Sequence, residues 1–182
     1  PSMQENCYIY FDENTKEGIV IDPGGDGDNI ISTLEKNNVD LKAILLTHVH
    51  FDHIGAVEEI QNRINVPLVI NKKEKEVISN GKHNISAEAL KKVISLKADI
   101  LLEDGEYFEF KNCKLKNIET PGHTIGSTCF YDEDSKVLFT GDTLFYQNIG
   151  RTDLPTSIPN KIRDSIINKL FVLDDNVTVY PG

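Results

Sequence analysis

The chain has 182 residues, 39% apolar and 26% charged, which is enough for a packed core and ordinary for a globular domain. Its net charge of −10 argues against a nucleic-acid partner, because phosphate binding needs concentrated Lys and Arg. No run approaches the ~18 apolar residues of a membrane-crossing helix, so no membrane partner is expected.

Cys7-Tyr-Ile-Tyr-Phe11 and Gly18-Ile-Val-Ile-Asp22 predict a hairpin joined by polar Asp12 to Glu17, and Asp22-Pro-Gly-Gly25 ends the second strand in a turn. Asn29 to Asn38 carries Ile30, Ile31 and Leu34 at helical spacing, with Asp26 or Asp28 as candidate caps. Lys42 to Leu46 reads as a buried strand, Ile54 to Ile64 as a helix, and Pro67 to Ile70 as a further strand. Residues 71–99 are charged and locally helical, expected as a surface excursion over the site. Tyr107 to Phe110 and Leu115 to Ile118, then Ser127 to Asp132 and Lys136 to Thr140, predict two antiparallel pairs. Pro159 to Phe171 predicts an amphipathic helix with Ile162, Ile166, Ile167 and Leu170 on one face, and Val177 to Tyr180 a last strand. Cys7, Cys113 and Cys129 are widely spaced in strand-like stretches and are expected as reduced thiols, which favours a cytoplasmic location.

Thr47-His48-Val49-His50-Phe51-Asp52-His53 places four potential metal ligands within six residues, where a strand runs out towards a helix. Residues two apart on an extended backbone point the same way, so His48 and His50 can share one ion. Asp52 and His53 follow at the turn into the helix, where they can reach a second ion. Thr120-Pro-Gly-His-Thr124 holds His123 in a tight turn, and Thr140-Gly-Asp-Thr143 puts Asp142 directly after a strand. Of the five histidines only His83 falls outside these elements, in a polar stretch that reads as solvated loop.

Taken together and in order, Thr-His-Val-His-Phe-Asp-His, Pro-Gly-His-Thr and Thr-Gly-Asp-Thr resemble the metallo-β-lactamase superfamily over essentially the whole chain. Within it, Gly141-Asp-Thr-Leu-Phe145 and Gly150-Arg-Thr-Asp-Leu-Pro155 look like the short glyoxalase II-like hydrolases. The resemblance implies an α+β, four-layer αββα sandwich as one domain, with two divalent metals at one edge between the sheets. Zinc is the first expectation for these metals, with iron or manganese as alternatives. By the same resemblance His48, His50 and His123 hold the first metal, Asp52 and His53 hold the second, and Asp142 bridges them. The family pattern has one more histidine after the Pro-Gly of the last core strand. The chain is therefore expected to continue with His after Gly182, and to begin upstream of Pro1 with another strand. These 182 residues leave out the C-terminal helical domain with which true glyoxalase II grips glutathione, so a glutathione thioester is not the expected native substrate.

The implied function is hydrolysis of a small-molecule thioester or ester by a hydroxide held at a binuclear metal centre, with Asp52 orienting the water or taking its proton. Arg151, one of only three arginines, lies in the loop after Asp142 and could clamp a substrate carboxylate bidentately. Tyr146 is a second candidate for lining the pocket. The alternative within the fold is a mononuclear iron persulfide dioxygenase, which shares the Gly-Arg-Thr-Asp stretch; Pro181-Gly182 favours the two-metal hydrolases. A third reading is a metal-binding module without catalysis. Antibiotic hydrolysis is disfavoured by Gly-Arg-Thr-Asp-Leu-Pro together with the lack of a Cys near the second site. Oligomeric state is left open.

Overall fold

The structure is a computed structural model that describes residues 5–182. The expectation of a strand upstream of Pro1 lies outside the described residues. Apolar runs without polar alternation, such as Ile19-Val20-Ile21 and Ala43-Ile44-Leu45, mark strands covered on both faces. They become β2 (Glu17–Ile21) and β3 (Asp40–Leu45) at the middle of a five-stranded sheet. β1 (Tyr8–Phe11) pairs antiparallel with β2, whereas β3, β4 (Leu68–Asn71) and β5 (Ile100–Leu102) are added in parallel. The second sheet is a meander of β6 (Tyr107–Phe110), β7 (Cys113–Glu119), β8 (Thr128–Asp132) and β9 (Val137–Gly141). Two short strands, β10 (Leu144–Phe145) and β11 (Asn148–Ile149), form a ribbon beyond it, and β12 (Thr178–Pro181) joins β9 in parallel.

Alternation along each strand assigns the layers. Ile19, Ile21, Ala43, Leu45 and Val69 meet Leu115, Phe130 and Phe139 in a core between the sheets. Val20, Ile44, Leu68 and Ile70 point the other way, against Ile30, Ile31 and Leu34 of α1 (Gly27–Lys36) and Val57 and Ile60 of α3 (Val57–Arg63). On the far side Ile118, Cys129, Tyr131 and Leu138 pack on Ile162, Ile166 and Leu170. Two sheets face to face with a helical layer outside each is the expected αββα sandwich.

Several expected elements differ in detail. The helix expected from Ile54 to Ile64 is two pieces, α2 (Phe51–Ile54) and α3, because the Pro23–Gly24 turn docks between them. Ala56 N–H donates to Pro23 O at 2.9 Å, and a Cβ on Gly55 would lie 2.2 Å from Gly24 O. Asp26 occupies the cap position of α1 in a left-handed conformation (φ 58°), but its side chain makes no capping bond. Residues 71–99 are less superficial than expected: Val77 and Ile78 enter the core, and only a 3₁₀ turn (Lys72–Glu74) and α4 (Ser86–Ala89) are helical. Asn84 pins this segment, donating to Ile78 O and Ile94 O, while its own carbonyl accepts from Phe51 N–H beside the metal loop. β5 and the β10–β11 ribbon, too short for a periodicity signal, were not anticipated. Cys7, Cys113 and Cys129 are free, as expected.

The C-terminal helix is α5 (Ile162–Ser165) running into a π turn (Ile166–Leu170). An α turn carries every fourth residue past the buried stripe, and the wider i→i+5 turn brings it back. Ile162, Ile166 and Leu170 therefore stay in line while Ile167 is turned outward, 50% exposed, contrary to the expected face. Ile166→Ala should cost about 2–5 kcal/mol, as expected for a buried Ile truncated to Ala. Ile167→Ala should fall within about 0.5–1 kcal/mol of the parent. Urea unfolding of the two variants measures the contrast; equal losses would mean that both face the core.

Candidate metal centre

All the candidate ligand loops leave one end of the sandwich. β7 and β9 both run antiparallel to β8, so Thr120–Thr124 and Gly141–Asp142 emerge together at their C-terminal ends. The Thr47–His50 loop leaves the C-terminal end of β3 and meets them across the seam. There Thr128 N–H donates to Thr47 O at 2.9 Å, and a Cβ on Gly141 (φ +47°) would sit 2.1 Å from Thr47 Oγ1. Only glycine allows both that φ and that approach.

Asp22 at the end of β2 is buried in a left-handed conformation (φ 49°), and its carboxylate organises the first loop. Oδ1 accepts from Thr47 N–H at 2.8 Å and Oδ2 from Thr47 Oγ1–H at 2.6 Å. His53 Nδ1 lies 3.0 Å from the same Oδ2, which turns Nε2 towards Asp142. Carboxylate–histidine contacts of this kind orient metal-binding imidazoles. With its proton given to Asp22, Thr47 Oγ1 is left to accept from His48 Nδ1–H at 3.3 Å. His123 Nδ1–H likewise donates to Arg151 O at 2.8 Å.

Two ligand groups result, His48–His50–His123 and His48–His53–Asp142, each with its donor atoms within 4.8 Å of one another. His50 Nδ1 and His123 Nε2 are 2.9 Å apart. Asp142 spans both groups, with Oδ2 3.4 Å from His123 Nε2 and Oδ1 3.3 Å from His53 Nε2. Nitrogens at ~2.0–2.1 Å from one tetrahedral ion lie about 3.3 Å apart, so these separations suit shared ligation. Among the described residues His48 Nε2, His50 Nε2 and His53 Nδ1 are buried without a hydrogen-bond partner, His50 meeting His123 through its other nitrogen and His53 Nδ1 lying against Asp22. A buried unmade hydrogen bond costs about 1–3 kcal/mol, and a cation at the cluster is the chemistry that the donor set fits.

Charge divides the groups. Burial, and then the neighbouring imidazoles, push His48 well below the usual histidine range and His50 down to about 3. His123 is also lowered by burial, against the pull of Asp142. Burial opposes the charged form of His53 too, but Asp22 and Asp142 outweigh it and hold this imidazole well above its ordinary value. Asp142 is lowered: burial raises it, but His53 and the other imidazoles prevail.

The remaining expected residues are placed less centrally. Asp52, in the first turn of α2, stands beside the two groups rather than in them, its carboxyl raised by burial. Arg151 reaches outward and forms a bidentate pair with Asp153 (2.7 Å for each bond), so the guanidinium fork is already engaged. Tyr146 sits between β10 and β11, 88% exposed. His83 is exposed, as expected. Asp22 was read only as a turn residue; a strand-terminal Asp followed by Pro-Gly-Gly was the available signal. Glu5, whose carboxyl burial pushes up to about 8, and buried Glu74 carried no signal because neither lies in a motif.

The sequence model of the metallo-beta-lactamase superfamily matches residues 2–182, and the chain belongs to that family. It is 34% identical to hydroxyacylglutathione hydrolase GloC of Haemophilus influenzae, over all of this chain and 86% of that one. Among solved structures it superposes on BLEG-1, described as a B3 metallo-beta-lactamase, with a TM-score of 0.94 at 35% identity, covering 100% of this chain and 88% of the other. It superposes on TTHA1623 in a di-iron-bound form with a TM-score of 0.84 at 29% identity, with the same coverage. The metallo-β-lactamase fold and a His/Asp cluster suited to divalent metals thus define the class. No helix among the described residues is long and apolar enough to cross a membrane.

The charge division has a measurable consequence. At neutral pH an ion entering the His53–Asp142 side must displace a proton from His53, whose raised pKa keeps it charged. The His48–His50–His123 side is already neutral. Affinity of the former should rise about tenfold per pH unit until pH passes the raised His53 value, while the latter stays flat between pH 6 and 8. Calorimetric titration with Zn²⁺ in buffers of different ionisation enthalpy reads the proton released; equal pH slopes for both steps would contradict the assignment.

Proposed function

We propose that the chain is a metal-dependent hydrolase of thioester or ester substrates, glyoxalase II-like in chemistry, with a binuclear centre. His48, His50 and His123 would hold one ion, His53 and Asp52 the other, and Asp142 would be shared. The observation that carries this reading is the Asp142 carboxylate, with one oxygen towards His123 and the other towards His53. The likeness to a hydroxyacylglutathione hydrolase supports a thioester, and the likeness to a di-iron form supports iron beside zinc as the resident metal. Two such ions supply an acidified water and positive charge for a developing oxyanion.

The protein's part is placement and proton handling. Asp22 and the Arg151 carbonyl fix the rings of His53 and His123, so the ligand set is oriented before substrate arrives. Asp52, raised by burial and beside His53 and Asp142, is suited to orienting the attacking water or accepting its proton. A thiol leaving group, with an ordinary pKa of about 8.5, departs as thiolate with little need for an acid. A substrate carboxylate would engage Arg151 by exchange with Asp153, and Tyr146 at the ribbon tip is exposed enough to contact substrate. A second reading, opening of a β-lactam amide, is favoured by the likeness to BLEG-1.

Thioester hydrolysis should disappear on chelation and return with Zn²⁺, Fe²⁺ or Mn²⁺. Asp52→Ala should lower kcat by about 10²–10⁴, the range for losing a general base, without loss of fold. Full activity of that variant with both metals bound would remove Asp52 from the chemistry. Faster turnover of a β-lactam than of any thioester, or oxygen uptake with a persulfide on a single iron, would replace the proposed reaction. Arg151→Ala should raise KM several-fold for thioesters bearing a carboxylate and leave uncharged ones unchanged; equal changes would make the Arg151–Asp153 pair structural.

A further inference from the structure

Glu74 is a carboxylic acid in the 3₁₀ turn after β4, only 1% exposed and outside every motif. Its Oε1 accepts from Thr124 Oγ1–H at 2.7 Å and from Gly126 N–H at 2.8 Å. Both donors belong to the loop that carries His123. The backbone N–H of Val49, between His48 and His50, faces the same carboxyl. The fit is close: a Cβ on Gly126 would fall 2.7 Å from both Cγ and Oε1 of Glu74. Ser127 completes the loop, with its hydroxyl 2.8 Å from Thr124 Oγ1 and accepting from Thr124 N–H at 2.9 Å. One buried side chain thus bonds to the His123 loop and faces the backbone of the His48–His50 loop, although it lies on neither.

We infer that Glu74 is a positioning residue that sets the separation of the His48–His50 loop from the His123 loop, and with it the affinity of the three-histidine side for metal. This rests on the metal-centre reading above. The reason for a carboxyl is geometric: Thr124 and Gly126 present two donors that converge on a single buried oxygen, and an apolar residue would leave the Gly126 N–H unpaired and Thr124 Oγ1 with Ser127 alone. Burial raises the Glu74 pKa, so a neutral amide is a fair mimic of the group. The second oxygen, Oε2, has no hydrogen-bond partner among the described residues, and an amide nitrogen could stand there.

The test is stepwise titration of the full chain with Co²⁺, read by its visible spectrum, with His50→Ala used to identify which step belongs to the three-histidine side. Glu74→Ala should weaken that step by about 10–100-fold, the usual effect of losing a partner that orients ligands, and leave the other step unchanged. Glu74→Gln, which keeps the accepting oxygen, should restore affinity to within about threefold of the parent. Thr124→Val, which removes one donor and leaves Glu74 in place, should weaken the same step about tenfold; it carries the test if Glu74→Ala does not fold. A merely structural Glu74 would lower the melting temperature and leave Co²⁺ affinity and spectrum unaltered, which would overturn the inference, as would a Gln variant as weak as Ala. A parent chain that binds no Co²⁺ would overturn the metal-centre reading instead, so the two failures are distinguishable.

Discussion

Four imidazoles and a partly buried carboxylate share the seam where two sheets end, and their desolvation is the constraint on which the site depends. Neutral rings are tolerated there where one nitrogen is satisfied by the protein, as Thr47 does for His48 and the Arg151 carbonyl for His123, whereas His53 is held charged beside the Asp22 carboxylate. In each ligand group one donor atom per residue gathers within 4.8 Å of the others, so the same arrangement that lets the fold bury these groups also presents lone pairs to a cation. The conflict between burying polar groups and leaving them unpaired is resolved by a ligand, which is the usual sign of a functional site.

Asymmetry within the cluster follows from where the carboxylates sit. Asp22 and Asp142 both flank His53, whereas the other three rings face mostly one another. The result is one neutral, nitrogen-rich side and one charged, oxygen-containing side. Softer, imidazole-type coordination fits the first and harder coordination the second, a division compatible with zinc, iron or manganese. Close backbone approach makes this possible. Gly24 brings the β2 turn against Asp52 O, and Gly150 brings the loop after the ribbon against Asp142 O, where a Cβ would fall 1.6 and 1.7 Å away respectively.

Much of the architecture was legible from the chain. The β2 and β3 runs, the meander from β6 to β9 and the α1 stripe are long enough for a period to show, and they appear within a residue or two of expectation. The failures have local causes. The helix from Ile54 to Ile64 is interrupted because a distant turn docks at Gly55, and no local propensity encodes a docking partner. Ile167 is turned outward by a π turn, which an assumed period of 3.6 residues cannot anticipate. The 71–99 segment has a polar composition, yet Val77 and Ile78 enter the core, Asn84 bonds it to Phe51 beside the metal loop, and Glu74 within it is buried.

Sequence alone determined which residues could bind metal, because ligand chemistry resides in side-chain identity and short spacings: His48 with His50, Asp52 with His53, and His123 and Asp142 each held at a strand end. The layer order came from the resemblance those motifs carry, not from strand alternation, which the doubly covered β2 and β3 do not show. Tertiary structure decided how these residues act together. His48 and His123 are 75 positions apart, and only the two sheets meeting at one edge bring their rings to 4.7 Å between centroids. It also decided that the Arg151 fork is paired with Asp153, that Asp52 stands beside the ligand groups, and that Asp22 and Glu74 support them. Contacts of that kind depend on three-dimensional proximity and desolvation, which have no period or motif in a linear chain.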